Sequence, residues 1–227
     1  MLYTEQNVRD NIRNREGKRV FFLGKGDQLT SGARDLLRRE RIEIRPAEEA
    51  KISVYKLLDG STLTEKPEYM THLHGDVLVP KTHPRIAFRG AVDSLEAELL
   101  LCQCQCEKFR EELGQILALA RLLIRCDVLN EPVPQEKLCG LTEKEQREHS
   151  HRPQDFYGQP HFMPAHTDAE ALLLINRARC AARHAELIAV HAFSDREGLP
   201  TRTDILKAMN RMSSMLYILM IRLKSGK

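Results

Sequence analysis

Between residues 168 and 194 the chain is mostly Ala, Leu, Ile and Val, yet Asn176, Arg179, Arg183 and Glu186 recur at intervals of three, four and three. Helical periodicity puts these four on one face. An arginine fork holds two oxygens at once, so arginines on such a face suit a polyphosphate. The same spacing also describes an ordinary solvated face, and periodicity alone does not separate the two. A second polar island, Asn210-Arg211-Met212-Ser213-Ser214, interrupts a Met- and Leu-rich segment from Ile205 to Ile221. Its plainer reading is the polar end of a core helix. Lys81 follows Val79-Pro80 on a loop, where a flexible ammonium can reach a phosphate or simply face water. Asp93 heads Asp93-Ser94-Leu95-Glu96, a capping-box pattern that predicts a helix start and gives Asp93 the plain role of N-cap.

Other chemistries find less support. Cys102, Cys104 and Cys106 look like a metal clip, but their flanks are helical, and on a helix Cys104 points away from the other two. Buried or interfacial thiols are the expectation there. His149, His151, His161 and His166 fall in an irregular stretch without the paired spacing of a zinc site, so no metal site is assigned. Gly24-Lys25-Gly26-Asp27 matches neither a P-loop nor a dinucleotide fingerprint and reads as a turn. No nucleophile elbow and no papain-like Cys context is present.

The elements that must position these residues follow from pattern. Val20 to Leu23 is a short apolar strand, Thr30 or Ser31 caps a helix through Ala33, Leu36 and Leu37, and Ile42-Glu43-Ile44 alternates like a strand. Residues 61–90 are loop-rich. Helical spacing then runs from Asp93 to about Asn130, with Gly114 as the candidate break. A short helix is expected within 135–148. Asp168 is the expected cap of the helix to Ser194, and Thr201 or Thr203 starts a last helix to Lys224. The fold class is therefore mainly α: a long-helix bundle over residues 61–227, with a small α/β unit over residues 1–60. Hydrophobic residues at 42% and charged residues at 30% fit a globular chain and exclude a disordered one. No apolar run approaches the ~18 residues of a membrane span, and the polar start does not read as a secretory signal. Residues 8–45 hold eleven Lys/Arg against six Asp/Glu, too mild an excess for a nucleic-acid arm in a chain with no Trp. Neither a nucleic acid nor a membrane is an expected partner. Six Cys without an export signal are expected as reduced thiols in the cytoplasm.

The segment from Lys66 to Leu95, KPEYMTHLHGDVLVPKTHPRIAFRGAVDSL, resembles cobalamin adenosyltransferases of the ethanolamine-utilisation type. DQLTSGARDLL, from Asp27 to Leu37, is similar to their LTPSARELL stretch. A thinner likeness extends to the propanediol-utilisation type, a family of helical bundles that are typically trimers with sites between subunits. The resemblance implies transfer of the 5′-deoxyadenosyl group of ATP to cob(I)alamin, with triphosphate released and Mg²⁺ accompanying ATP. It implies a homotrimer, and a product that supplies ethanolamine ammonia-lyase in the cytoplasm or within a bacterial microcompartment. Residue by residue, Lys81 falls on the family's phosphate-contacting Lys, and Asp93 on an Asp that pairs with an Arg of the neighbouring subunit. Arg179 is then the implied partner of Asp93. Arg183 and Glu186 fall on the ATP-site pair, Asn210 on the last-helix Asn that orients ATP, and Phe162 on the Phe that packs below the corrin and displaces the lower ligand of cobalt.

The chain also departs from the family. His184 replaces the second Arg of an Arg-Arg pair, Leu187 the Arg after the Glu, and Ser214 the Asp of the last-helix motif. The Gly-Gly after the loop Pro is missing. A Cys-rich metal cluster carried by some ethanolamine-type enzymes before the Thr-His-Leu segment is also missing, since the first Cys is Cys102. Those departures keep a non-catalytic corrinoid-binding or delivery protein as the alternative, with a thiol-based metal or redox module behind it.

Overall fold

The computed structural model describes residues 1–15, 17–50 and 54–227. The chain divides into two compact units: Met1–Glu68 with Asp76–Leu78, and Tyr69–Gly75 with Val79–Lys227.

In the first unit, β1 (Leu2–Tyr3), α1 (Glu5–Asn11), β2 (Arg13–Arg15), β3 (Lys18–Leu23), β4 (Gln28–Leu29), α2 (Ser31–Arg39), β5 (Glu43–Pro46), α3 (Ala47–Ala50), β6 (Tyr55–Lys56) and β7 (Thr62–Leu63) follow in order. β3 pairs antiparallel with β2 and parallel with β5. The parallel pair needs a crossover, and α2 supplies it. The Thr30 hydroxyl caps α2 by accepting from the Ala33 amide. Ala33, Leu36 and Leu37 of α2 then bury against Val8, Phe21 and Ile42. The Gly24–Asp27 segment is a turn closed by the Gly24 amide on the Asp27 carboxylate, at 3.1 Å. Gly26 stands at φ 89°, a left-handed conformation that favours glycine. Much of the basic excess is paired, with Glu40 accepting from both Arg9 and Arg19.

The second unit holds β8 (Met70–His74), α4 (Pro84–Gln105), a 3₁₀ turn at Glu107–Phe109, α5 (Arg110–Leu129), α6 (Glu143–His151), α7 (Pro153–Tyr157), α8 (Glu170–Ala192) and α9 (Thr203–Lys224). Strand β9 (Val77–Pro80) leads into α4, and its Val77 lies opposite Lys56 within the first unit. α4 opens earlier than the capping-box pattern predicts. Pro84 fills the first turn, where a missing N–H costs nothing, and the His83 ring accepts from the Arg85 amide. Asp93 is therefore an exposed residue in mid-helix rather than an N-cap.

The expected single helix to Asn130 is two antiparallel helices. Contacts running Gln103 to Arg110, Glu96 to Arg121 and Arg85 to Asp127 fix that direction. The break is at Cys106, not Gly114. A Cβ on Gly114 would stand 3.1 Å from the Gln103 side-chain amide, so this glycine leaves room for the amide that donates to the Arg110 carbonyl. The local cost of a helical Gly is only about 1 kcal/mol. Asp168 is likewise not the cap of α8, which starts after Ala169 without a side-chain cap. Its carboxylate instead accepts from the Ala165 amide and pairs with Lys224.

The core runs through all the long helices. α4 presents Phe88, Val92, Leu95, Leu99 and Cys102, at alternating intervals of four and three. α8 answers with Ala178, Ala182, Ala185 and Ala189, all fully buried, and these small side chains let α4 and α9 close on α8 from two sides. α9 contributes Ile205, Met209, Met212, Leu216 and Leu219. Asp127 is also fully buried. Its two carboxylate oxygens accept from Arg85 Nε and Arg89 Nε, each at 2.7 Å, and its carbonyl takes a further Arg85 nitrogen. Arg89 reaches on to the Leu73 and His72 carbonyls, which ties β8 to the start of α4. Among the described residues, no helix is long and apolar enough to cross a membrane.

Candidate functional site

The two polar islands meet. A cleft of about 320 Å³ lies between α8 and α9, and the end of α6 and the loop before α8 also line it. Arg179 and Arg183 project from α8, and Asn210, Arg211, Ser213, Ser214 and Tyr217 from α9. Part of the polar face of α8, at Arg179 and Arg183, is thus the wall of a cavity. Behind the wall, Glu186 Oε1 accepts from Asn210 Nδ2 at 2.8 Å. Asn210 Oδ1 takes Arg211 Nη2, and the Asn210 carbonyl takes the hydroxyls of Ser213 and Ser214, each at 3.0 Å. Asn210 is the hub that joins α8 to α9.

Three guanidinium groups face this cleft, and none has a carboxylate within 4 Å among the described residues. Arg179 is held by Asn176 Oδ1, at 3.3 and 3.2 Å, and its guanidinium lies 5.8 Å from the Tyr217 ring centre. Arg183 is exposed. Arg211 is half-buried, and desolvation holds its guanidinium below the ordinary value. Uncompensated cations in a concave site are an anion receptor by construction.

Aromatic rings close one end. The His161 ring lies almost parallel to Tyr217, at 6° and 5.8 Å between centres. His161 Nε2 sits 3.1 Å from the His151 carbonyl, so it must donate. In the neutral ring Nδ1 is then an acceptor, and the Tyr217 hydroxyl donates to it at 2.9 Å. Phe162 also stacks on Tyr217, 6.2 Å between ring centres, with Lys224 over its own ring.

Of the residues predicted from sequence, Arg179, Arg183, Glu186 and Asn210 come together, and Phe162 joins them through Tyr217. Lys81 and Asp93 do not line the cleft of their own chain. Lys81 is exposed just before α4, where its amide donates to the Tyr69 carbonyl, and Asp93 is exposed on α4. Of the residues that depart from the family pattern, His184 and Leu187 point out of the bundle, Leu187 being 71% exposed. Only Ser214 touches the cleft. Tyr217 was missed by sequence reasoning, although it lies two turns beyond Asn210 and the 3–4 rhythm through Ser214 could have found it. Cys102 and Cys106 are buried and Cys104 is exposed. Burial, with Glu98 nearby, pushes the Cys102 thiol up to about 12. Among the described residues, no three His, Cys, Asp or Glu side chains are grouped to hold a metal ion.

A family model described as cobalamin adenosyltransferase matches residues 62–223. Corrinoid adenosyltransferase EutT of Salmonella typhimurium strain LT2 is 30% identical over 242 residues, which covers 96% of this chain and 90% of that protein. Corrinoid adenosyltransferase EutT of Escherichia coli K12 is 31% identical over 160 residues, or 70% of this chain and 60% of that one.

Proposed function

The chain belongs to the cobalamin adenosyltransferase family, and from that premise we propose how its own residues adenosylate a corrinoid. The group transferred is the 5′-deoxyadenosyl moiety of ATP. The cobalt(I) electron pair attacks C5′, a cobalt–carbon bond forms, the C5′–oxygen bond breaks, and triphosphate leaves with that bonding pair. No side chain is needed as nucleophile, so the protein contributes position and electrostatics.

The observation that carries this reading is the trio Arg179, Arg183 and Arg211, three guanidiniums around one cleft with no carboxylate of their own chain within 4 Å among the described residues. They neutralise the triphosphate as its charge grows. Glu186 and Asn210, already locked together, orient the nucleotide. Glu186 would be the protein oxygen donor beside the cleft for Mg²⁺ carried by ATP, which would add positive charge to the phosphates. The Phe162–Tyr217–His161 stack forms an apolar wall against the corrin and excludes a lower ligand from cobalt. Residues 61–227 form the catalytic domain.

Lys81 and Asp93 act across subunits in a homotrimer. One protomer presents Lys81 to the triphosphate held by Arg183 of its partner, and Asp93 pairs with the partner's Arg179. That arrangement accounts for two family-like residues standing outside the cleft of their own chain. The ethanolamine-utilisation relatives extend the proposal to ethanolamine ammonia-lyase as consumer of the product, in the cytoplasm or a microcompartment within it.

The test is an anaerobic assay with cob(I)alamin and Mg-ATP. Photolabile adenosylcobalamin and one triphosphate per turnover are expected. A folded protein that gives neither refutes the reading.

A further inference from the structure

A second cavity, of about 590 Å³, lies between α5, α9 and residues 133–146. That volume falls in the ~300–1,000 Å³ range of small-molecule sites. Its walls are apolar at Ala118, Leu119, Leu122, Val133 and Ala208. Gln146, only 2% exposed, lines it as well. Gln146 Nε2 donates to the Leu141 carbonyl at 3.0 Å, which fixes the orientation of the amide. Gln146 Oε1 is left as the one buried side-chain oxygen or nitrogen without a hydrogen-bond partner among the described residues. An orphaned acceptor of this kind is destabilising unless a ligand donor meets it.

Four cations share the lining: Lys137, Lys144, Lys207 and Arg211. Lys207 and Arg211 stand one turn apart on α9, and neither has an ion-pair partner within 4 Å among the described residues. Of the three acidic residues in the lining, Asp204 is already taken by Arg202 and the Val133 amide, while Glu136 and Glu143 are exposed. Arg211 also lines the first cleft, so one side chain spans the two cavities. The cavity therefore asks for an apolar body, a hydrogen-bond donor and an anion, on a molecule that also reaches the first cleft.

The corrinoid carries such a group. Its nucleotide tail joins a flat dimethylbenzimidazole to a ribose hydroxyl and a phosphodiester. Cobalt(I) keeps its electron pair along the axial direction and holds no lower base, so the tail is free when the nucleophile is formed. We infer that this second cavity receives the released nucleotide tail of the corrinoid. The base packs on the apolar walls, Gln146 Oε1 accepts from the ribose hydroxyl, and Lys207 and Arg211 face the phosphate. This rests on the adenosyltransferase reading, and one of its tests is independent of turnover.

In that test the free tail, the ribonucleotide of dimethylbenzimidazole, is titrated calorimetrically into the full chain without ATP or cobalt. Binding to the wild type is expected, with affinity at least about tenfold weaker in Gln146→Leu and in Ala118→Trp, which fills the cavity from an exposed position. Adenosine monophosphate is titrated in parallel. Equal or tighter binding of it makes this a general nucleotide site and overturns the proposal, as does no binding of the tail. In the turnover test, Ala118→Trp should lower the preference for cobalamin over cobinamide, which lacks the tail, about tenfold in kcat/KM. An unchanged ratio overturns the proposal. Failure of both corrinoids with the wild type, alongside tight tail binding, would refute the catalytic reading and leave the cavity assignment standing.

Discussion

Replacing Arg183 with alanine separates catalysis from stability. The side chain is exposed on α8 and has no hydrogen bond or ion pair among the described residues. Alanine is the better helix former, so folding stability should change by no more than about 0.5 kcal/mol. The catalytic effect has a different scale. A unit charge at ~4 Å from a phosphate oxygen is worth ~4 kcal/mol at an effective dielectric of ~20. Solvent at this exposed position trims that to about 2–3 kcal/mol, or roughly 30- to 150-fold in kcat. The loss should appear more in kcat than in the KM for ATP, because the charge on triphosphate grows as the C5′–oxygen bond breaks. Arg183→Lys keeps the charge but loses the fork, and should recover only part of the rate. The assay follows consumption of chemically generated cob(I)alamin anaerobically, with both substrates saturating. Melting temperature serves as the folding control. Turnover of Arg183→Ala within twofold of wild type would remove this arginine from the leaving-group site.

Other outcomes follow from the same structure. Co-refolding inactive Lys81→Ala with inactive Arg183→Ala chains in equal amounts should restore about a quarter of the sites if each site is built from two subunits, and none if each lies within one. Asp127→Ala strands Arg85 and Arg89 and should cost about 3–5 kcal/mol in urea unfolding, whereas loss of an exposed carboxylate such as Asp35 should cost little. Hydrogen bonding from Arg202 lowers the Asp204 carboxyl to about 2. Because this folded value lies below the unfolded one, its stabilisation of about 2 kcal/mol is complete above pH ~4 and disappears as pH falls through about 2. The stability gap between wild type and Asp204→Asn should close over that window, and a gap that persists at low pH contradicts it. Native alkylation at pH 8 should label exposed Cys104 and Cys180 and spare Cys102, whose thiol stands at about 12. Equal labelling rates, read by mass spectrometry, would mean that α4 opens readily.

What the sequence determined alone is what local periodicity and motif carry. The mainly helical class, the shared face of Arg179, Arg183 and Glu186, and the polar island at Asn210 were legible because a helix repeats every 3.6 residues whatever packs against it. The motif resemblance added Lys81, Asp93 and Phe162. Tertiary structure decided which faces meet. The α8 stripe is a cleft wall because Asn210 reaches Glu186 and Tyr217 closes the end, and neither partner lies near α8 in the chain. Cys106 rather than Gly114 is the break, because the buried face of α4 needed α5 folded back on it, a demand that no local propensity records. Asp127 looks like one more helix residue until Arg85 and Arg89 arrive from α4. The second cavity, with its orphaned Gln146 oxygen, exists only where α5, the segment after it and the distant α9 leave a gap. Burial, pairing and cavities are properties of the space between elements, and that space is set by non-local packing.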